Sequence, residues 1–110
     1  MTASFIPLQR TPFEVRVDVA SRQITLIGEL DVAAAAELAV AVVTLQFAGP
    51  GDILIRLGEL EFMDMAGLGA IIGARNAQQD RQAALVMTGA TARVRRLFDM
   101  AGLGDLLDTA

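Results

Sequence analysis

Between Phe13 and Val19 the chain reads F-E-V-R-V-D-V, an apolar residue at every odd position and a charge at every even one. Only a pleated strand sorts such a pattern onto two faces, because its side chains alternate with a period of two. Ala20, Ser21 and Arg22 form a polar break, and a second alternating run through Ile24, Leu26 and Gly28 closes at Gly28-Glu29-Leu30. The two runs predict an antiparallel hairpin. The period then changes. Asp31 stands before an Ala-rich stretch from Val32 to Phe47, in which Leu38, Val42 and Leu45 share one helical face. A short side-chain acceptor there can cap the free amides of a first turn, and Gly49-Pro50-Gly51 stops the helix. Ile53, Ile55 and Leu57 alternate with Leu54 and Arg56, a run apolar on both faces that suits an interior strand. Leu68, Ile71, Ile72 and Arg75 return to a helical period, and the segment turns polar through Asn76, Gln78, Gln79, Asp80, Arg81 and Gln82, where it ends. Ala83 to Met87 has the length of a strand, Thr88-Gly89 is a turn, and Thr91 opens a helix containing Val94, Leu97, Phe98 and Ala101.

The order is β-β-α-β-α-β-α. It predicts an α/β fold with a mixed four-stranded sheet, or five strands if a further one is added, and helices packed on it. The 110 residues suit one domain, with residues 1–12 as an irregular or edge segment.

Composition narrows function by what is missing. There is no Cys, His, Lys, Tyr or Trp, and Ser occurs only at Ser4 and Ser21. Thiolate and imidazole ligands, a Schiff-base lysine and the commonest general base are thereby removed, and neither serine has a base to activate it. The expectation is a non-enzymatic protein with no cofactor or metal. Nine Arg against thirteen Asp and Glu give a net charge of -4, which disfavours nucleic acid and anionic membranes and favours protein partners. The longest apolar run, Met65 to Ala74, is far short of the roughly 20 residues a spanning helix requires, and the first ten residues lack the features of a secretory signal. These features predict a cytoplasmic protein without membrane insertion.

The hexapeptide Asp-Met-Ala-Gly-Leu-Gly occurs twice, at Asp64 to Gly69 and at Asp99 to Gly104. The first copy follows a strand, so Asp64 is placed to cap the helix that carries Leu68 and Ile71. The second follows the helical run RVRRLF, so Gly102 is placed as the left-handed residue that ends a helix, with Leu103 folding back. One string starts a helix and also stops one. A helix start with glycines can hold a phosphate or dock a partner. The spacing Gly67, Gly69, Gly73 misses the dinucleotide pattern, and without Lys there is no P-loop. Arg93, Arg95 and Arg96 are read as a solvated helix face.

Three stretches taken together resemble the STAS domain of bacterial anti-sigma-factor antagonists: GELD at Gly28 to Asp31, LGELEFMDMAGLGAII at Leu57 to Ile72, and VRRLFDMAGL at Val94 to Leu103. The resemblance runs from about Phe13 to Leu107. It implies a protein that binds an anti-sigma factor, often a serine kinase, and frees a sigma factor for transcription. It also implies a closing strand and helix, for which 110 residues leave little room. In the family pattern a hydroxyl residue after the aspartate accepts phosphate. Here the aspartate is Asp64 and the acceptor position is Met65, followed by Ala66, Gly67 and Leu68. No Ser, Thr or Tyr lies between Thr44 and Thr88, so no nearby residue replaces the acceptor. The resemblance places the partner surface at Asp31, Asp64, Met65, Ala66, Gly67, Leu68 and Gly69. Other STAS domains imply two alternatives, a scaffold subunit of a signalling or transport assembly and a nucleotide-responsive domain.

Overall fold

The computed structural model describes residues 13–107. The expected irregular segment over residues 1–12 lies outside these. The described chain runs through β1 (Glu14–Asp18), β2 (Gln23–Leu30), α1 (Ala35–Ala48), β3 (Ile53–Met63), α2 (Met65–Asp80), β4 (Leu85–Thr88), α3 (Ala92–Met100) and a short 3-10 turn (Gly104–Leu106). Among the described residues the sheet has four strands in the order β1-β2-β3-β4. β1 and β2 form the expected antiparallel hairpin, with Val15 opposite Leu26 and Val17 opposite Ile24. β2, β3 and β4 are parallel neighbours. Both crossovers step the same way along the sheet, so right-handedness places α1 and α2 side by side on one face. Leu107 makes a lone parallel bridge to Met87 on the far side of β4, where a fifth strand would start.

The core lies between that face and the two helices. Ile24, Leu26 and Leu30 of β2 and Ile53, Ile55, Leu57 and Leu60 of β3 meet Leu38, Val42 and Leu45 of α1 and Leu68 and Ile71 of α2, all buried. Val94 and Phe98 anchor α3 to the same cluster. β1 departs from the alternation argument in degree. Its Val15 is half-buried, while Val17 and, just beyond the strand, Val19 remain 36% and 51% exposed, because this edge of the sheet overhangs the helical layer.

β3 is longer than expected. The alternation stops at Leu57, yet the strand continues to Met63. The pairing of β2 with β3 slips between Thr25 and Ile27 and again between Gly28 and Glu29, each time leaving an extra residue on β3. Such bulges stretch the local period from two to three, so the inward residues become Leu57, Leu60 and Met63.

α1 begins later than expected. Val32, Ala33 and Ala34 form a turn, held by Ala34 N donating to the Asp31 carboxylate at 3.0 Å and by Ala35 N donating to Asp31 O at 3.0 Å. Asp31 therefore caps the turn that leads into α1. α3 matches the sequence reading at both ends. Thr91 Oγ1 accepts from Val94 N, and Gly102, with φ of 75°, closes a Schellman ending in which Leu103 N donates to Phe98 O at 2.8 Å. α2 ends with the same geometry on a non-glycine residue, Gln82 at φ of 58°, with Ala83 N donating to Gln78 O at 3.0 Å.

Gln78 also corrects the view of this helix as polar all around its C-terminal part. Its side chain is 1% exposed. Nε2 donates to Gly51 O at 3.0 Å and Ala84 O at 2.9 Å, while Oε1 accepts from Gln46 Nε2 at 3.0 Å. One amide thus ties the end of α1, the loop before β3 and the entry to β4 together. Arg22 completes that end of the fold, its guanidinium donating to the carbonyls of Leu45, Gly51 and Asp52. Gln78→Leu keeps the volume but removes all three of these hydrogen bonds and takes the acceptor away from Gln46 Nε2, while Gly51 O keeps Arg22 and Ala84 O keeps Ile53 N, and is expected to lower the unfolding free energy by about 1–3 kcal/mol. Urea denaturation followed by circular dichroism measures this, and an unchanged midpoint would show that the amide is not a structural clamp.

Candidate functional site

Two parallel strands end side by side, and each is followed by an aspartate. Leu30 pairs with Met63, so Asp31 and Asp64 emerge next to one another from the same end of the sheet. Each caps what comes next in the same way. Asp31 Oδ1 accepts from Ala34 N at 3.0 Å, and Asp64 Oδ1 accepts from Gly67 N at 2.8 Å. Asp64 is extended, with φ of -101° and ψ of -176°, which turns its side chain back over the first turn of α2. Both carboxylates are half-buried. Their charge also complements the partial positive charge at a helix start.

The sheet ladder continues one step past the strands, with Asp64 N donating to Leu30 O at 3.3 Å. This brings the first turn of α2 down onto the end of β2, and Gly67 is the residue at the crossing. A Cβ on Gly67 would collide with Leu30 O and approach Met63 Cγ and Leu30 Cγ at 2.9 and 3.0 Å. Gly67 is therefore required by close approach, a stronger reason than the tolerance of a first turn for glycine. Leu68 is 1% exposed and belongs to the core. The expectation that Gly67 and Leu68 form part of the contact surface is corrected accordingly: both are buried, and they support the surface from below.

What faces outward is Met65, 62% exposed, with Ala66 and Gly69 beside it. A Cβ at Gly69 would meet nothing within 4 Å. The turn thus presents one flexible thioether over small neighbours, flanked by the two capping carboxylates. The methionine side chain is polarizable and adaptable and has no hydroxyl to esterify. Residues of α3 lie close to this turn. A shallow groove of about 370 Å³ lies elsewhere, between β1 and α1, but immediately upstream of Asp64 a groove of about 250 Å³ runs between Phe62, Met63, Arg93, Arg96, Leu97 and Met100. Met100, the last residue of α3, is 77% exposed on its rim. The strongly two-sided pattern of RVRRLF, with Val94 and Phe98 inward, was the signal that Arg93, Arg96 and Met100 face out. Among the described residues no cluster of three or more carboxylates forms a metal-holding group.

This arrangement can be compared with known proteins. The family model described as Mlab, STAS domain matches residues 13–108. The chain belongs to the STAS domain family. The anti-sigma-B factor antagonist of Staphylococcus epidermidis is 36% identical over 80 residues, which are 73% of this chain and 74% of the relative. The protein of the same name from Staphylococcus aureus is 35% identical over the same shares. Among solved structures, the anti-sigma factor antagonist SpoIIAA in its unphosphorylated form superposes with a TM-score of 0.71 at 24% identity, covering 90% of this chain and 88% of that one. A sulfate transporter family protein from Wolinella succinogenes superposes at 0.67 with 16% identity over 79% and 70%. These structural likenesses show that the STAS fold is shared.

The two glycines of this STAS domain separate experimentally. Gly67→Ala forces α2 off the end of β2 and is expected to lower stability by more than about 2 kcal/mol, the scale of overpacking. Gly69→Ala places its methyl in open space on a helix and is expected to raise stability by about 0.5–1 kcal/mol. Thermal melts of the two variants check this, and equal shifts of the same sign would contradict the assigned crossing point.

Proposed function

We propose that this STAS domain acts in the cytoplasm as a non-enzymatic anti-sigma-factor antagonist. It binds an anti-sigma factor through the surface formed by Asp31, Asp64, Met65, Ala66 and Gly69. Sequestering that factor frees a sigma factor for transcription. The two staphylococcal relatives carry the name of this activity and cover most of the chain, which supports the reading. The single observation that carries the choice of surface is Met65, a large apolar side chain exposed at the start of α2 directly after the Asp64 cap.

Phosphorylation cannot act on the proposed surface at the position that the family resemblance assigns to it. A phosphate would add a charge of about -1.5 to -2 beside Asp31 and Asp64, where like charge and desolvation oppose an apolar contact. Methionine in its place keeps this position uncharged and apolar. If the partner is a serine kinase, ATP has no acceptor here, and the complex persists in its presence.

A pull-down from native lysate with the wild-type chain and with Met65→Ser, each with and without ATP, tests this. Wild type is expected to retain an anti-sigma factor identified by mass spectrometry in both conditions. Met65→Ser is expected to release a kinase partner when ATP is added, with phosphate on the new serine. Met65→Glu, a constant charge at the same place, is expected to weaken capture at least tenfold. Loss of the wild-type complex with ATP, and phosphate on this chain, would defeat the account of a missing switch. Failure of every version to capture an anti-sigma factor, with recovery in a large assembly instead, would move the reading to a scaffold subunit.

A further inference from the structure

α1 carries a single charged residue, Glu37, and is otherwise almost wholly apolar, yet half of it faces solvent. Leu38, Ala41, Val42 and Leu45 point into the core. On the opposite side Ala36, Ala39, Val40, Val43 and Phe47 fall into one stripe, within roughly 60° of a common line at about 100° per residue, and Val32 is exposed in the turn that precedes it. Four of these are large and open: Val32 at 73%, Val40 at 65%, Val43 at 44% and Phe47 at 87% exposure. No charged residue lies in the stripe, and Glu37 and Thr44 stand at its margin. Beside it, Val15 and Val17 of β1 extend the apolar surface into the groove along Ala36, Val40 and Thr44.

We infer that this face is a homodimer interface in which α1 packs antiparallel against α1 of a second copy. The stripe is self-complementary under a two-fold axis between Ala39 and Val40. Within α1 that operation sets Ala36 against Val43 and Ala39 against Val40, so a smaller side chain meets a larger one at each level, and it brings Phe47 toward the turn that carries Val32. Such reciprocity is what an isologous contact requires. A charged partner would need complementary charges, and an anionic membrane would need Lys or Arg; the stripe carries neither. The exposed parts of the four large residues amount to on the order of 450 Å² per copy. With the alanines and the β1 margin this approaches the roughly 600 Å² per partner at the lower end of specific interfaces. A moderate, concentration-dependent dimer follows.

The dimer leaves Met65 itself outside the contact and reaches the edge of its surface at Val32. Val32 lies next to Asp31, at the end of α1 that borders that surface, and Phe47 lies at the other end. An antiparallel pair therefore carries its two Met65 surfaces at opposite ends.

Sedimentation equilibrium of the full chain from micromolar to several hundred micromolar tests the interface, with Val40→Glu and with Ala39→Cys. Val40 is mostly exposed, so Val40→Glu is expected to keep its circular dichroism spectrum and melting behaviour while the association constant falls at least tenfold. The chain has no cysteine of its own, so Ala39→Cys places a single thiol beside the axis and is expected to form a disulfide-linked dimer under mild oxidation. Val86→Cys, a control on β4, is expected to remain largely monomeric. A wild-type chain that stays monomeric throughout, or dimers that Val40→Glu leaves intact, would overturn the inference. So would a monomer in which Val40→Glu exposes residues 1–12 to protease, because that would make the chain's own N-terminal segment the occupant of the face.

Discussion

The carbonyl of Leu30 lying against Gly67 is the contact on which the organisation of this end of the sheet, with the candidate site, depends. It sets how closely the first turn of α2 approaches β2. Through the adjacent bond from Asp64 N to the same carbonyl, it also fixes where the chain leaves the sheet. A side chain at residue 67 would lift the helix, and the Asp64 cap, the orientation of Met65 and the seating of Leu68 in the core would shift with it. One missing Cβ thus couples the core beneath to the surface above. Glycine in a helix costs about 0.5–1 kcal/mol, and here burial and backbone approach offset that cost.

At the other end of the sheet the organising groups are side chains that serve backbone carbonyls. Gln78 and Arg22 both donate to Gly51 O, and each reaches a further carbonyl on a different segment. Helix ends and tight loops leave carbonyls without partners, and burying them unpaired would be costly. The fold is therefore held by backbone approach at the end carrying the candidate site and by polar clamps at the opposite end. The hydrophobic core lies between.

Most of the architecture was legible because its signals are local. Alternation in β1 and β2, the caps at Asp64 and Thr91, and the left-handed ending at Gly102 each depend on a few consecutive residues. The misses are non-local. The bulges that extend β3 to Met63 exist only in pairing with β2, and Gln78 looks like any polar residue until Gln46, Gly51 and Ala84 surround it. Within the candidate site, the string Asp-Met-Ala-Gly-Leu-Gly showed that a helix begins but not which side chains turn outward. Burial of Gly67 and Leu68 and exposure of Met65 follow from the crossing with β2, which no property of the hexapeptide encodes. Its second copy makes the same point, since an identical string there closes a helix.

The length of β3 has a bearing on recognition. Because the strand stays paired with β2 up to its last residue, the turn bearing Met65 is attached to a hydrogen-bonded ladder instead of a loop. Little backbone freedom remains to be lost there, so a partner docking on the proposed surface would forfeit less conformational entropy than one docking on a flexible epitope. The adaptability resides in one side chain, the methionine itself, on a rigid mount.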